Sequence, residues 1–458
     1  MNILLAKPDN ISDHIQPSIG LGILAEILRK SGHSVQLLDF LKDKINFKNF
    51  ITLITPLNID IIGFQCYTFD IYIIKKYVEL IRKFLPSTKI ILGGPHPTTL
   101  PEETLIFFAN DIDYIFLGES EISLKLFCAG ESVNNIKGIG YRDKSTGDIV
   151  YSYPEFNDNI DEYGMPAWDL IKPETYPPAQ HGAFYKKFPI APIIMTRGCP
   201  FPCTFCAGNL IMGKKIRKRS VNLIIEEIKY LYHHRGIREF HFVDDNFTMD
   251  KNYVMEFLKE LKKLQIDISW ATPNGVRMDS LDDEMLVLMK ETGLYLISLG
   301  IESGSDRILK LMKKGNTVEK IKKYIKIISN HDIDIAGFFI LGYPGETIDD
   351  IKQTITFSLK LPLIRANYFT FLPFPGTEIY NQLKKSGELD SINSKKFFFT
   401  NATYPPEGIS RNELKSLQRG AFIKFFIRPS ILIKNIMAIR SFLHFKYLGI
   451  RFYHWFFY

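Results

Sequence analysis

The stretch Pro192-Ile193-Ile194-Met195-Thr196-Arg197-Gly198-Cys199-Pro200-Phe201-Pro202-Cys203-Thr204-Phe205-Cys206 decides how the chain reads. Its first part, Pro192–Thr196, is a short apolar run suited to a buried strand. The rest packs three of the chain's five cysteines into eight residues. Thiolates clustered so densely ligate metals far more often than they merely pack. Two prolines and Gly198 keep the loop out of regular structure and suit it to wrapping an inorganic core. Structural zinc takes four protein ligands, and the remaining cysteines, Cys66 and Cys128, lie in another part of the chain. Three thiolates leave one position open, which suits an iron–sulfur cluster with an exposed iron.

Downstream, apolar strands alternate with amphipathic helices. Strands are expected at Glu239–Val243, Ser269–Thr272, Tyr295–Gly300, Ile333–Leu341 and Asn367–Phe371. Helices are expected near Val221–His233, Tyr253–Lys263, Asp283–Glu291, Ile321–Ser329 and Ile348–Leu359. With the strand at Pro192–Thr196, this is a run of six βα units, which curls into a full or partial barrel with its chemistry at the carboxyl ends of the strands. Asp244-Asp245-Asn246, Glu302-Ser303-Gly304 and Gly342-Tyr343-Pro344-Gly345-Glu346 stand at those ends. Each group has a plain structural reading as well. Asp244 and Asp245 suit helix caps, Glu302 and Ser303 suit capping as well as binding, and Gly342–Glu346 suits a turn and a helix start.

Upstream, the alternation runs from the first residue. Strands are expected at Asn2–Ala6, Ser34–Leu38, Ile59–Phe64, Lys89–Leu92 and Asp113–Leu117. Helices are expected at Gly20–Lys30 and near Tyr72–Phe84 and Ser120–Phe127. Such a pattern builds a doubly wound parallel sheet, which takes ligands at the carboxyl ends of its strands. Gly93-Gly94-Pro95-His96-Pro97-Thr98 and Gly118-Glu119-Ser120-Glu121 stand there, as ligand loops or as tight strand-to-helix turns. His96, stiffened between two prolines, is a candidate ligand. No G-x-G-x-x-G follows the first strand, which disfavours a dinucleotide site. Gly138–Tyr153 reads as a hairpin turning at Ser145–Asp148, and the stretch to about Pro189 reads as a linker.

The spacing Cys-x3-Cys-x2-Cys, with an aromatic before the last cysteine, resembles the radical S-adenosylmethionine (SAM) enzymes. The resemblance implies that Cys199, Cys203 and Cys206 bind a 4Fe-4S cluster and that Phe205 lies beside the adenine of SAM. One electron then cleaves SAM to methionine and a 5′-deoxyadenosyl radical. It also implies that Asp244, Asp245, Glu302, Ser303, Gly342, Tyr343 and Pro344 hold SAM. Val243-Asp244-Asp245-Asn246-Phe247 stands where the family usually has Gly-Gly-Glu.

The order of a sheet domain, a cysteine-loop barrel and a tail resembles the cobalamin-binding subgroup over roughly residues 1–390. The loops at Gly20, Gly93–Thr98 and Gly118–Glu121 recur there as a set. Cobalamin is implied at Gly20, Gln65, Cys66, Gly94, His96, Gly118 and Glu119, with Gln65 or Cys66 below the cobalt. The Asp-x-His-x-x-Gly loop of the adenosylcobalamin mutases is absent, since Asp13 and His14 are adjacent and lack the glycine. The implied reaction is methylation of an unactivated carbon, with ring formation or rearrangement as the alternative. A non-catalytic cobalamin or iron–sulfur carrier or sensor is the rival from another class.

Composition sets the outer limits. Of 458 residues, 46% are hydrophobic and 13% aromatic, which excludes a mainly disordered chain. No apolar run reaches the roughly 18 residues of a membrane span. The start of the chain is too soon broken for a signal peptide, and few, odd-numbered cysteines suit a reducing cytoplasm. The net charge of +7 lies wholly in residues 407–458, which hold nine basic and two acidic side chains. There Arg411–Ile427 and Ser430–Phe445 read as helices parted by Pro429, with aromatics running from Phe442 to Tyr458. This tail suits a helical cap on the barrel or a peripheral contact with anionic lipid. No nucleic-acid motif is present. The expected organisation is a cobalamin-binding Rossmann-like domain (1–137), a hairpin and linker (138–190), a radical SAM barrel (191–390) and a basic aromatic region (391–458). The expected partners are a small-molecule or lipid-like substrate and an external electron donor such as a flavodoxin or ferredoxin.

Overall fold

A computed structural model describes residues 1–9, 15–182, 184–390 and 397–457. Asp13, His14 and Tyr458 lie outside the described residues, as do the side chains from His454 onward. Two compact units emerge. The first is Met1–Pro177 with Ala207–Arg217, and the second is Pro178–Cys206 with Lys218–Tyr458.

The first unit is built on short apolar strands. β1 (Asn2–Lys7), β2 (Ser34–Asp39), β3 (Ile61–Gln65), β4 (Lys89–Gly93) and β5 (Tyr114–Phe116) pair in parallel in the order β2-β1-β3-β4-β5. β1 buries all but its first residue, as a sheet covered on both faces requires. Alternate residues feed two cores. Leu4, Phe64 and Leu92 join one, and Ile3, Leu5 and Ile91 the other. The covering helices include α1 (Ile19–Lys30), α2 (Ile71–Phe84), α3 (Pro101–Phe108) and α4 (Glu121–Cys128). α2 buries Ile71, Ile74, Tyr77, Val78 and Ile81, one face at helical spacing. Strand order reverses between β1 and β3, which opens the crevice where such sheets bind ligands.

The hairpin is present as β6 (Ile139–Arg142) and β7 (Ile149–Tyr151), and it extends the first sheet antiparallel to β5. The aperiodic stretch after it is not featureless. Ala167 donates its N–H to the Gly22 carbonyl at 2.9 Å, and a Cβ on Gly22 would lie 2.3 Å from Ile171. Gly22 is thus a close-packing glycine.

In the second unit six parallel strands lie side by side in chain order. They are β8 (Ile190–Ile193), β9 (Glu239–Phe242), β10 (Ser269–Val276), β11 (Leu294–Glu302), β12 (Asp334–Leu341) and β13 (Arg365–Thr370). Among the described residues β8 and β13 do not pair with each other, so the sheet is that of a partial (βα)6 barrel. The intervening helices are α5 (Val221–His234), α6 (Lys251–Lys263), α7 (Asp283–Glu291), α8 (Val318–Ser329) and α9 (Ile348–Lys360). Each begins at a side-chain cap: Ser220, Asp250, Asp282, Thr317 and Thr347 accept the backbone N–H three residues on. β10 and β11 run beyond their expected ends through register shifts that lengthen the strands.

α10 (Glu378–Lys385) follows β13. α11 (Arg411–Phe426) buries Leu414, Ala421 and Phe425, and Gln418 donates to the Tyr368 carbonyl of β13 at 2.6 Å. The single helix expected over Ser430–Phe445 is in fact two, α12 (Pro429–Met437) and α13 (Phe442–Phe457). The break has a physical cause. Ser441 Oγ accepts the His444 N–H at 3.1 Å, which is an N-cap that starts a new helix. No helix among the described residues is long and apolar enough to cross a membrane.

Candidate active site

The cysteine loop follows β8 in the second unit, and its three cysteines form no disulfide. Thr204, between two of the cysteines, pins it. The Thr204 N–H donates to the Met312 carbonyl at 3.1 Å, its carbonyl accepts the Ile379 N–H at 3.1 Å, and its hydroxyl meets the Tyr343 hydroxyl at 2.7 Å. Phe205 packs with Ile308, Met312, Tyr343 and Phe371. Cys206 is exposed, and Cys199 and Cys203 are half-buried. Burial pushes the Cys199 and Cys203 thiols up, while Lys314 and Arg277 pull them down. Among the described residues no three His, Cys, Asp or Glu side chains converge on a single ion. A cluster does not ask for that, because each thiolate binds its own iron.

Two cations face this loop. Lys314 Nζ pairs with Glu302 Oε1 at 2.7 Å. Burial opposes the Lys314 charge, but Glu302 and Cys203 outweigh it and hold the ammonium above its ordinary value. A Cβ on Gly300 would lie 2.5 Å from Glu302 Oε1 and 2.7 Å from Lys314 Nζ, so the glycine makes room for the pair. Glu302 itself sits at the register shift with a left-handed φ of 64°. A non-glycine residue pays for that conformation, a strain that clusters at functional sites. Arg277, just past β10, stacks 3.6 Å from the Phe201 ring and donates to the Lys314 carbonyl at 3.1 Å.

The other strand ends supply polar groups. Asp244 Oδ1 accepts the Met195 N–H at 2.9 Å, the Thr196 N–H at 2.5 Å and the Thr196 hydroxyl at 2.8 Å. It therefore braces the entry to the cysteine loop. Its Oδ2 and the Asn246 Nδ2 are buried without a hydrogen-bond partner among the described residues. Burial pushes the Asp244 carboxyl up to about 7, against those donors, and raises Asp245, which acts electrostatically on Cys199. Ser303 is buried and bonded to Thr354 at 3.1 Å and to the Ser305 N–H at 3.1 Å. Gly342 has a φ of 81°, and its N–H and that of Tyr343 donate to Glu346 Oε2 at 2.5 and 3.0 Å. Pro344 follows, partly exposed. Burial pushes Glu346 up to about 8.

The first unit places its loops at the ends of β1, β3, β4 and β5. Ser18 donates to Gln65 at 3.1 Å. Cys66 is fully buried within the core, and burial pushes its thiol up. Gly94, with a φ of 105°, would bring a Cβ to 3.1 Å from the Cys66 carbonyl. His96 is buried with Nδ1 3.2 Å from the Thr68 hydroxyl, and burial lowers its pKa to about 4. Gly20 is exposed. The Gly118 N–H donates to Thr98 at 2.8 Å. Both Glu119 oxygens accept from Arg217 at 2.6 Å, and both side chains are buried. Asp70 Oδ1 is buried and unpartnered among the described residues.

Thr204, Arg277, Lys314 and Arg217 are absent from the sequence-based candidates. Arg277 was within reach, because it stands at the end of an apolar strand. Lys314 lies in Lys313-Lys314-Gly315, which reads as a solvated basic pair. The residues present suit the three groups. Three cysteines that form no disulfide lie on a braced loop with cations beside them, and buried polar atoms without partners among the described residues stand at the strand ends. In the first unit, loops follow the strands on either side of the point where the strand order reverses.

Comparison with known proteins agrees. Residues 193–358 match the family model described as radical SAM superfamily, and residues 12–127 match the B12 binding domain. An uncharacterized methyltransferase of Pyrococcus horikoshii is 30% identical over 432 residues, covering 93% of this chain and 91% of the relative. The anaerobic magnesium-protoporphyrin IX monomethyl ester cyclase of Cereibacter sphaeroides is 25% identical, over 91% of this chain and 68% of the relative. The fold matches the cobalamin-dependent radical enzyme OxsB with a TM-score of 0.77 at 17% identity, over 99% of this chain and 71% of that one. The chain belongs to the radical SAM superfamily, as an enzyme of the branch that carries a B12 binding domain.

Proposed function

We propose that the protein methylates an unactivated carbon of a small-molecule or lipid-like substrate, using a 4Fe-4S cluster, SAM and cobalamin. The observation that carries this reading is the union, on one chain, of the braced three-cysteine loop with a B12 binding domain. When bound, the cluster supplies one electron for SAM cleavage, and cobalamin supplies the methyl group. The chain's own residues position these groups. Cys199, Cys203 and Cys206 hold three irons, and Thr204 and Tyr343 fix their loop. Asp244, Asp245, Glu302, Ser303 and the Gly342–Pro344 loop form the SAM side, with Phe205 against the adenine. In the first unit Gly20, Gln65, Gly94, His96 and Gly118 shape the cobalamin loops. Cys66 and Glu119 support them from below, one in the core and one through Arg217. An external one-electron donor such as a flavodoxin or ferredoxin completes the set.

Ring formation is the second reading, favoured by the similarity to the cyclase of Cereibacter sphaeroides. Anaerobically reconstituted protein, given reductant and SAM, is expected to release 5′-deoxyadenosine and to show both cluster and cobalamin absorption bands. The Cys203→Ala variant is expected to lose the cluster bands and the product while keeping cobalamin. Wild-type protein that yields no 5′-deoxyadenosine sinks the proposal. Loss of a labelled SAM methyl group to substrate separates methylation from ring formation.

A further inference from the structure

Among the described residues the corner between α12 and α13 is the least covered apolar part. Phe442 is 83% exposed and Met437 73% exposed, the highest values for large apolar side chains among the described residues. Leu432, Ile433 and Ile436 continue the patch along α12, and Phe445 continues it along α13. On α12 these residues recur at helical spacing on the face opposite Ile431, which is buried. The inner side is firmly anchored, because Arg428 donates to the Leu359 and Leu363 carbonyls at 3.0 and 3.2 Å. The outward face is therefore held in place and left uncovered among the described residues. Monomeric proteins seldom expose contiguous apolar patches beyond a few hundred Å² without a partner.

The charge around the patch identifies that partner. Lys424, Lys434, Arg440 and Lys446 are exposed beside it, and Arg440 lies within the corner itself, between Met437 and Phe442. Residues 407–458 carry the whole net charge of +7 with only two acids. Among the described residues, Lys434 is the one of these four cations paired with a carboxylate, Asp334 at 3.5 Å, and both are largely exposed. Such a pair is worth little and opens readily. Apolar wedges flanked by Lys and Arg on a helix pair match an interface of acyl chains beneath anionic headgroups. A second copy of this chain would set +7 against +7, which charge complementarity disfavours.

We infer that the α12–α13 corner docks on the surface of an anionic lipid bilayer, with Met437 and Phe442 inserted and Arg440 and its neighbours on the headgroups. This goes beyond the proposed methylation and is independent of the radical chemistry. The test floats the full-length protein with phosphatidylcholine vesicles, with and without phosphatidylglycerol. Recovery is expected with the anionic vesicles alone and is expected to fall with added salt. Lys434→Glu with Arg440→Glu is expected to weaken binding at least about ten-fold. Met437→Ser with Phe442→Ser is expected to abolish it while 5′-deoxyadenosine formation stays unchanged, because these side chains touch no part of the site. The inference is overturned if wild-type protein does not float, if the variants float equally well, or if neutral vesicles serve as well as anionic ones. It is also overturned if the serine variant converts a dimer to a monomer in sedimentation, since a second copy would then be the occupant.

Discussion

Lys314 is a buried cation that acts on the candidate site's electrostatics. It neutralises Glu302 at the register shift and lies within electrostatic reach of the Cys199 and Cys203 thiols. A cluster is easier to reduce when nearby charge is more positive. Lys314→Met is therefore expected to lower its midpoint potential, and Glu302→Gln to raise it. The double variant, with the pair again neutral, should lie near wild type. A potentiometric titration followed by electron paramagnetic resonance, without SAM, reads all three, and iron content verifies that each variant holds its cluster. An unchanged potential across the series would remove Lys314 from this role. None of this was legible from the doublet Lys313-Lys314, because a lysine's burial is decided by a strand end some twelve residues away. The cysteine triplet, by contrast, was legible at once, since no packing need explains three thiols in eight residues.

At the scale of elements, the Gly342–Glu346 loop shows how a turn and a site coincide. Glu346 accepts two backbone N–H groups, and its other oxygen is buried without a partner among the described residues. Its carboxyl is pushed from an ordinary 4.5 to about 8. The folded protein thus keeps a proton that the unfolded chain releases. Its contribution to stability is full below 4.5 and is lost as pH rises through about 8. Glu346→Gln is expected to flatten this pH dependence, and Glu346→Ala to cost about 2 kcal/mol at acidic pH through two lost bonds. Denaturant melts across pH check both.

The strands and barrel helices were readable because apolar period and capping residues agree. The division of α12 from α13 was not, because Ala438-Ile439-Arg440 contains neither Gly nor Pro and only Ser441 marks the restart. Nor was the packing of Pro166–Ile171 on α1, which depends on the missing side chain of Gly22 rather than on any periodic signal.

For the whole molecule, two compact units with separate cores predict two unfolding transitions. Hydroxocobalamin is expected to stabilise one of them by about 3 kcal/mol at a hundredfold excess over its dissociation constant and to leave the other in place. Calorimetry measures this, and limited proteolysis around residues 177–184 assigns the transitions. A single transition that cobalamin does not move would contradict it.

The chain leaves the first unit at Pro177 and rejoins it from Ala207 to Arg217, immediately after the cysteine loop. That return delivers Arg217, which takes both oxygens of buried Glu119. Inheritance is constrained accordingly. A single recombination crossover near residue 177 would exchange most of the sheet domain but leave the partner of Glu119 behind on the other parent's gene. Unless both parents carry the pair, the hybrid buries a lone carboxylate at a cost of about 3–5 kcal/mol. Relatives are thus expected to trade this unit only together with the segment that follows the third cysteine, so the heritable block runs through Arg217 and carries the cysteine loop with it rather than ending at Pro177.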